Sequence, residues 1–543
     1  MKVVAAEPIS KNGLRLLAQQ AAWEVVDPAQ YAQSPDSHLK DADALIVRSA
    51  VYVDAALLEK APKLRVIGRA GVGVDNIDVE AATRRGIVVM NTPGANAVAV
   101  AELTIGLMIS LARHLSRADA STRAGKWEKK IFQGTELRGK ELGILGLGRI
   151  GVEVAKRAKA LGMNISAHDP YVSPALARDL GIKLASLDDL YARADYLSLH
   201  LGLTPQTQGM INADSLAKMK KGVRIVNCAR GELVDDRALC AALSSGQAAA
   251  AAIDVFTQEP PKGSPLLELP NVIATPHIGA STAEAQDAVG VQLAEQIIEY
   301  LSHGVVQNAV NVTSLTEVEY RQLAPYIDLA RRMASLLAQL LDDNLNLEEI
   351  RVGYEGAVRE WKTGLLRDSA VAGVLQSGSQ EVVNIVNAAA VAATRGVSIR
   401  EDSPSQEDHG PINAVRLSLK GNGATLRARG TVVHQKFPRI IELNGIEIES
   451  PLEGHLVVFA NKDLPGAIGG IGTILGRHGI NIARFSLGRE GNGDHPEPGK
   501  KADFATARNA MAIVQTDSPV SNAVLDEIRG KIAAVMAAKS IYL

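Results

Sequence analysis

Three polar side chains near the middle of the 543-residue chain have types suited to acid–base chemistry on a small anion. His277 lies in Ala274-Thr-Pro-His-Ile-Gly, Glu259 in Asp254-Val-Phe-Thr-Gln-Glu-Pro, and Arg230 in Val-Asn-Cys-Ala-Arg-Gly. Each follows a short apolar run that reads as a strand, over residues 272–274, 249–255 and 224–227. Ligands of open α/β sheets sit beyond the carboxyl ends of the strands, so the three can converge on one crevice. An imidazole exchanges protons near neutral pH. A neighbouring carboxylate would orient the ring, and a guanidinium offers a rigid fork of donors to a carboxylate. Each residue also has a purely structural reading: a strand-end histidine, a glutamate capping a turn before proline, an arginine paired with Asp235 or Asp236.

A second constellation decides between these readings. Gly146-Leu-Gly148-Arg149-Ile150-Gly151 follows a strand-like run, 141–145, and opens a helical stretch, 152–161. Gly146 allows a tight turn, Gly148 lets backbone approach a pyrophosphate, and Gly151 lets helix and strand pack closely. The helix N-terminus then presents N–H groups to the phosphates. Asp169, 23 residues after Gly146, closes the next strand and can accept hydrogen bonds from a ribose diol. A 2′-phosphate would be repelled there, so NAD is favoured over NADP. With a dinucleotide beside it, the trio fits removal of a hydroxyl proton as a hydride leaves for the cofactor.

Positioning these groups requires a β/α alternation, which the chain supplies twice. The first series has strands expected at 3–6, 44–47, 66–68 and 87–90, with helices at 10–20 and 54–61. One long helix is expected over 96–123, with Asn96 as N-cap and Leu103, Leu107, Leu111 and Leu115 on one face. The second series has strands at 141–145, 164–168, 196–200, 224–227, 249–255 and 272–274. Ser281-x-x-Glu284 reads as a capping box that opens a helix to 301. Residues 303–317 read as a linker.

Beyond it, 319–450 reads as an α+β domain. Helices are expected at 321–341, 358–376 and 382–395, strands at 348–354, 414–419, 424–432 and 438–448, and a polar loop at 403–411. The last segment has strands at 455–461, 481–487 and 509–515. Its helices open at Pro465 and at Ser518-Pro519, a loop rich in Gly, Pro and charge covers 488–501, and residues 531–543 complete it. This βαββαβ order is ferredoxin-like.

Composition narrows the class of partner. Lys plus Arg number 58 and Asp plus Glu 60, a net charge of −2, which argues against broad capture of nucleic acid or an anionic membrane. Cys228 and Cys240 cannot build a disulfide framework or a cysteine-rich zinc site, and no metal is expected. Residues 97–112 are apolar but carry Glu102 and fall short of a membrane span. The opening MKVVAAEPIS has no secretory pattern. A cytoplasmic protein of three to four domains is expected.

Residues 1–315 resemble the D-isomer-specific 2-hydroxyacid dehydrogenases. The matching stretches are Gly68-Arg-Ala-Gly-Val-Gly-Val-Asp-Asn-Ile-Asp78, Gly146–Gly151, Asn227-Cys-Ala-Arg-Gly231 and Pro276-His-Ile-Gly-Ala-Ser-Thr282. Two further stretches, Asn91-Thr-Pro-Gly-Ala-Asn96 and Gly125-Lys-Trp-Glu-Lys-Lys-Ile-Phe-Gln-Gly-Thr135, look like its branch acting on 3-phospho-D-glycerate, and the C-terminal layout looks like that branch's long form. The resemblance implies a flavodoxin-like substrate domain split between 1–96 and 291–318. A Rossmann NAD-binding domain over 97–290 would be inserted in it, followed by an α+β intervening domain, 319–450, and a ferredoxin-like ACT domain, 451–543.

It further implies NAD-dependent oxidation of 3-phosphoglycerate at the entry to L-serine biosynthesis, with Arg230, Glu259 and His277 catalytic. The cofactor would be met by Gly146, Gly148, Arg149, Ile150, Gly151, Asp169, Cys228, Ala229, Asp254 and Gly279. The substrate would be met by Arg48, Arg69, Asn96 and Lys129, the last reaching a neighbouring subunit of a homodimer or homotetramer. L-serine would be met by Asn461, Asp463 and Asn481 at a subunit interface. Two other readings remain open: reduction of glyoxylate or another small 2-oxo acid on the same fold, and an NAD-sensing regulator without catalysis.

Overall fold

The computed structural model describes residues 1–341, 346–376, 382–402, 412–491 and 507–543. Its first sheet holds β1 (Lys2–Ala5), β2 (Glu24–Val26), β3 (Ala44–Val47), β4 (Val66–Arg69) and β5 (Val88–Met90). The strands are parallel in the order β2-β1-β3-β4-β5, the flavodoxin-like winding. β3 and β5 are buried throughout, as is β1 after Lys2, which is why they read as continuous apolar runs. β2 escapes the sequence because its three residues include an exposed glutamate.

The second sheet holds β6 (Glu141–Leu145), β7 (Asn164–His168), β8 (Lys183–Leu184), β9 (Tyr196–Leu199), β10 (Val223–Asn227), β11 (Ala248–Ile253) and β12 (Val272–Ala274). Its order, β12-β11-β10-β9-β6-β7-β8, reverses direction at β6, the Rossmann switch point. The helix Ala97–Arg113 packs on this sheet through Ala101, Met108 and Leu111. The single helix expected over 96–123 is in fact two. His114 takes a left-handed backbone (φ 55°), and Leu115–Arg123 leaves at 63° to its predecessor. No single helix among the described residues is long and apolar enough to cross a membrane.

The helix Ala283–His303 returns to the first sheet, burying Leu293, Ala294 and Ile297 against β1, β3 and β4. Its N-cap is Thr282, whose hydroxyl accepts from the Ala285 N–H at 3.1 Å; Ser281 lies outside the helix and the residue three after the cap is Ala285, which has no side-chain acceptor, so the capping box expected at Ser281 and Glu284 does not form. The crossover explains why the first and last parts of this region share one core although the second sheet separates them in sequence.

The third sheet orders β14-β13-β15-β16-β17-β18, with β13 (Leu347–Glu355), β14 (Ser398–Glu401), β15 (Ala414–Gly421), β16 (Ala424–Val433), β17 (Phe437–Leu443) and β18 (Ile446–Pro451). The run 438–448 is a hairpin, not one strand. Asn444 (φ 50°) and Gly445 (φ 82°) form its turn, the Asn-Gly signal of a tight hairpin. The helix Glu317–Leu340 covers one face. A 3-10 turn, Gly356–Glu360, and the helix Gly364–Gln376 replace the single helix at 358–376. The helix expected at 382–395 is confined to Ala388–Thr394. The polar loop 403–411 and most of 488–501 lie outside the described residues.

The fourth sheet orders β20-β21-β19-β22, from β19 (His455–Lys462), β20 (Ile482–Arg489), β21 (Asn509–Thr516) and β22 (Val535–Tyr542). Strand order and the two helices make a ferredoxin-like βαββαβ unit. Pro465 and Pro519 precede their helices, which start at Ala467 and Asn522 after Gly466 and Ser521. Leu456, Val458, Ile513 and Ile541 of this sheet join the core of the third, so the two C-terminal units share one apolar interior. Asn384 touches the first domain, donating to the Gly86 carbonyl at 2.8 Å.

Candidate active site

The glycine loop has the shape of a phosphate cradle. Gly146 sits at φ 89°, a backbone region that L side chains rarely adopt. A Cβ on Gly151 would overlap the Gly146 carbonyl, so only glycine lets the helix Arg149–Ala160 start this close to β6. A Cβ on Gly148 would meet nothing within 4 Å, which leaves open space above the first helical N–H groups. Asp169 closes the loop from below: its carboxylate accepts from the Leu147 N–H at 2.8 Å and the Tyr171 N–H at 2.9 Å. These residues fit a dinucleotide pyrophosphate and ribose. Arg149 turns away from the cradle and donates to the Pro93 carbonyl at the crossing between the two domains. Ile150 packs partly buried against the domain core.

β10, β11 and β12 are neighbours, so the loops beyond them lie side by side. His277 and Glu259 meet there, with Nδ1 to Oε2 at 2.7 Å. Oε1 of Glu259 accepts from the Phe256 N–H at 3.1 Å, so both carboxylate oxygens are engaged. The ring is held at Nδ1, the side chain is half exposed, and no hydrogen bond to Nε2 is present among the described residues. His277 itself has a left-handed backbone (φ 53°), a costly conformation for a residue with a Cβ. Asp254 stabilises it. This fully buried carboxylate accepts from Thr275 Oγ1 (2.6 Å), the Ile278 N–H (2.9 Å) and the Gly279 N–H (2.9 Å). Asp254 and Gly279 thus shape the loop that carries His277.

Cys228 is buried and its thiol is pushed up to about 12 by desolvation, so it is no nucleophile at neutral pH. Next to it, the Ala229 N–H donates to Asn227 Oδ1 at 3.0 Å, which fixes the turn into Arg230. Arg230 donates from Nε to Asp75 Oδ2 at 3.0 Å and to the Ala229 carbonyl at 2.7 Å. Its partner is therefore Asp75, across the cleft, and neither Asp235 nor Asp236.

Two more guanidiniums face Arg230. Arg69, at the end of β4, is largely buried and its Nε has no hydrogen-bond partner. Desolvation and the charges of Arg230 and Arg48 lower its pKa to about 10. The Arg48 backbone is fixed by Glu7, whose buried carboxylate accepts from the N–H groups of Arg48 (2.7 Å), Ala50 (3.0 Å) and Val51 (3.1 Å). Asn96 stands at the N-cap position of Ala97–Arg113 without capping it; its Oδ1 is buried and unpartnered. Lys129 lies apart, on an exposed 3-10 turn beside exposed Trp127 and Ile131.

The three effector candidates are not brought together within one chain. Asn461 pairs with Ala510 at one end of the fourth sheet, and Asp463 there binds Arg489 at 2.8 Å. Asn481 precedes β20 at the other end, roughly 20 Å away by strand rise, and donates to Asp517 at 2.7 Å. Sequence reasoning missed Asp75, Glu7 and the loop-building role of Asp254. Asp75 stood within the Gly68–Asp78 stretch, six residues after Arg69, with nothing in the local spacing to relate it to Arg230.

A doubly wound NAD-type domain with a histidine–glutamate pair and an arginine facing a second domain defines a dinucleotide-dependent dehydrogenase of small acids. Residues 105–279 match the model of the D-isomer specific 2-hydroxyacid dehydrogenase NAD binding domain, and residues 322–444 that of the D-3-phosphoglycerate dehydrogenase intervening domain. D-3-phosphoglycerate dehydrogenase of Methanocaldococcus jannaschii is 41% identical over 97% of both chains. The protein of the same name from Mycobacterium tuberculosis is 42% identical, over 98% of this chain and 97% of its own.

A glyoxylate reductase structure from Paecilomyes thermophila superposes with a TM-score of 0.53 at 34% identity, over 57% of this chain and 98% of that one. D-lactate dehydrogenase from Aquifex aeolicus, complexed with NAD and lactic acid, gives 0.51 at 27%, over 58% and 100%. The chain belongs to the D-3-phosphoglycerate dehydrogenase family, within the D-isomer specific 2-hydroxyacid dehydrogenases.

Proposed function

We propose that this chain oxidises 3-phospho-D-glycerate to 3-phosphooxypyruvate with NAD, the first step of L-serine biosynthesis, in the cytoplasm. The observation that carries the reading is the convergence of Arg48, Arg69 and Arg230 beside the His277–Glu259 pair. Three cations with few acidic partners suit a substrate bearing a carboxylate and a phosphate, and exceed what glyoxylate needs. His277 takes the hydroxyl proton at Nε2, and Glu259 stabilises the resulting imidazolium through Nδ1. Arg230 holds the carboxylate and the developing carbonyl oxygen, while Arg48 and Arg69 hold the phosphate. NAD, when bound, would supply the hydride acceptor for C2. Gly146, Gly148, Gly151 and Asp169 seat it.

The exposed patch around Lys129 suits contact with a second copy, so we propose a homodimer or homotetramer with Lys129 reaching the neighbour's cleft. L-serine would bridge Asn461 and Asp463 of one copy and Asn481 of another. NADH formation from 3-phosphoglycerate, with and without L-serine, tests the whole reading. Arg48→Gln and Arg69→Gln should each raise KM for the phosphorylated acid, and an unchanged KM would sink it.

A further inference from the structure

Arg230 sits on the cofactor domain, yet the carboxylate that holds it comes from the opposite domain. Asp75 lies in the Gly71–Asp75 loop just after β4, and it meets Arg230 Nε at 3.0 Å across the cleft. A guanidinium has five N–H donors in a fixed plane. One is given to Asp75 and one, from Nη1, to the Ala229 carbonyl at 2.7 Å. Three remain, at least one on each terminal nitrogen, which is what a bidentate grip on a carboxylate requires. The loop is shaped for this approach: a Cβ on Gly73 would overlap Arg230 Nη2 and crowd Asp75 Oδ2.

We infer that Asp75 is the positioning residue of Arg230, doing for the guanidinium what Glu259 does for the imidazole. The inference rests on the substrate-binding role proposed for Arg230. Because the bond crosses between domains, the fork is aimed only while the first domain stands against the second. Arg230 orientation is thereby tied to cleft geometry, and a loosened fork would act on the acid while leaving NAD binding alone. The Asp75 charge also offsets part of the repulsion that Arg69 receives from Arg230.

The test is a double-mutant cycle on the full-length enzyme with 3-phosphoglycerate and NAD. Asp75→Ala should raise KM for the acid about tenfold and lower kcat, with KM for NAD within about twofold. Asp75→Asn keeps an oxygen acceptor for Nε and should recover most of the loss. In an Arg230→Ala background, Asp75→Ala should add less than about twofold, because the side chain it positions is gone. Full additivity in that background overturns the inference, as does a loss shared equally by both substrates or a failure of Asp75→Asn to recover activity. If Arg230→Ala itself turns over normally, the proposed role of Arg230 falls and takes the inference with it. An impaired Arg230→Ala with an additive Asp75→Ala removes the inference alone.

Discussion

Two regions of this molecule are rich in arginine, and they are built on opposite principles. On the third sheet, Arg351 binds Glu349 at 2.9 Å, Arg400 binds Glu349 at 2.9 Å, and Arg429 grips Glu355 with contacts of 2.7–3.1 Å. Of these, Glu349, Arg351 and Arg429 line an open groove of about 490 Å³, together with Asp402, Glu442, Arg416, Arg427 and Lys420. In the cleft, the acids acting on Arg69 against the charges of Arg230 and Arg48 are Asp75 and Glu7, and Glu7 spends its oxygens on backbone N–H groups. On the sheet, Arg351, Arg400 and Arg429 are each held directly by a carboxylate. The cleft keeps like charges together at an energetic cost that an incoming anion relieves, so unsatisfied charge, more than charge density, marks the site.

If this contrast holds, changes in the cleft should alter kinetics and changes on the sheet should alter stability. The largest effect is expected from His277→Ala, which removes the proton acceptor and should lower kcat about 10³-fold with little change in Tm. Activity that survives this change would remove the cleft from consideration.

Next, Arg69→Gln should raise KM for the phosphorylated acid about thirtyfold, the loss of a charged hydrogen bond, without lowering Tm. Arg429→Gln leaves the buried Glu355 short of its main partner and should cost about 2 kcal/mol of stability, read by thermal or urea unfolding, with KM unchanged. The contrast breaks if the two variants behave alike.

Glycines give a finer cut. Gly148→Ala places a methyl in open space, so folding should hold while KM for NAD rises about tenfold. Gly353→Ala, on the sheet, meets Asp402 Oδ2 at 2.7 Å and Arg416 Nε at 3.0 Å and should cost about 1 kcal/mol of stability only.

The smallest effect is a pH dependence. His200, partly buried just after β9 with its Nδ1 shut off from solvent, is lowered to about 4 by desolvation. Its folded pKa lies below the unfolded value near 6.5, so the unfolded chain binds more protons between the two. Its contribution is intact above about pH 6.5 and is lost as pH falls toward about 4. Lowering the pH from 7 to 5.5 should cost about 1 kcal/mol at this site, and His200→Gln should flatten that part of the stability profile.

Much of the site was legible because its residues follow apolar strands that end in recognisable turns. His277, Glu259 and the Gly146–Gly151 cradle each stand beside the element that positions them, so local pattern carried them. Arg230 was legible as a residue but not as a pair, since Asp75 lies 155 positions away and no local spacing relates them. The break at His114 was illegible because Leu115 carries the four-residue leucine spacing one step past it, although the helix that follows buries no side chain. The missed hairpin at Asn444-Gly445 was legible, since that dipeptide is a strong turn signal, but the apolar residues around it read as one continuous strand.

By itself the sequence determined the β/α alternation of the first two domains and the dinucleotide loop, and it marked the candidate acid–base and anion-binding side chains. These depend on residue type and on spacings of a few positions, where backbone geometry leaves little choice. Only the tertiary structure decided that the helix after residue 282 returns to the first sheet, and that the last two units share one core. It alone set Asp75 against Arg230 and drew Arg48, Arg69 and Arg230 together, while separating Asn461 from Asn481 by the length of a strand. Those relations are distances between residues far apart in the chain. They follow from how buried faces pack, a property of the whole fold and of no single stretch of sequence.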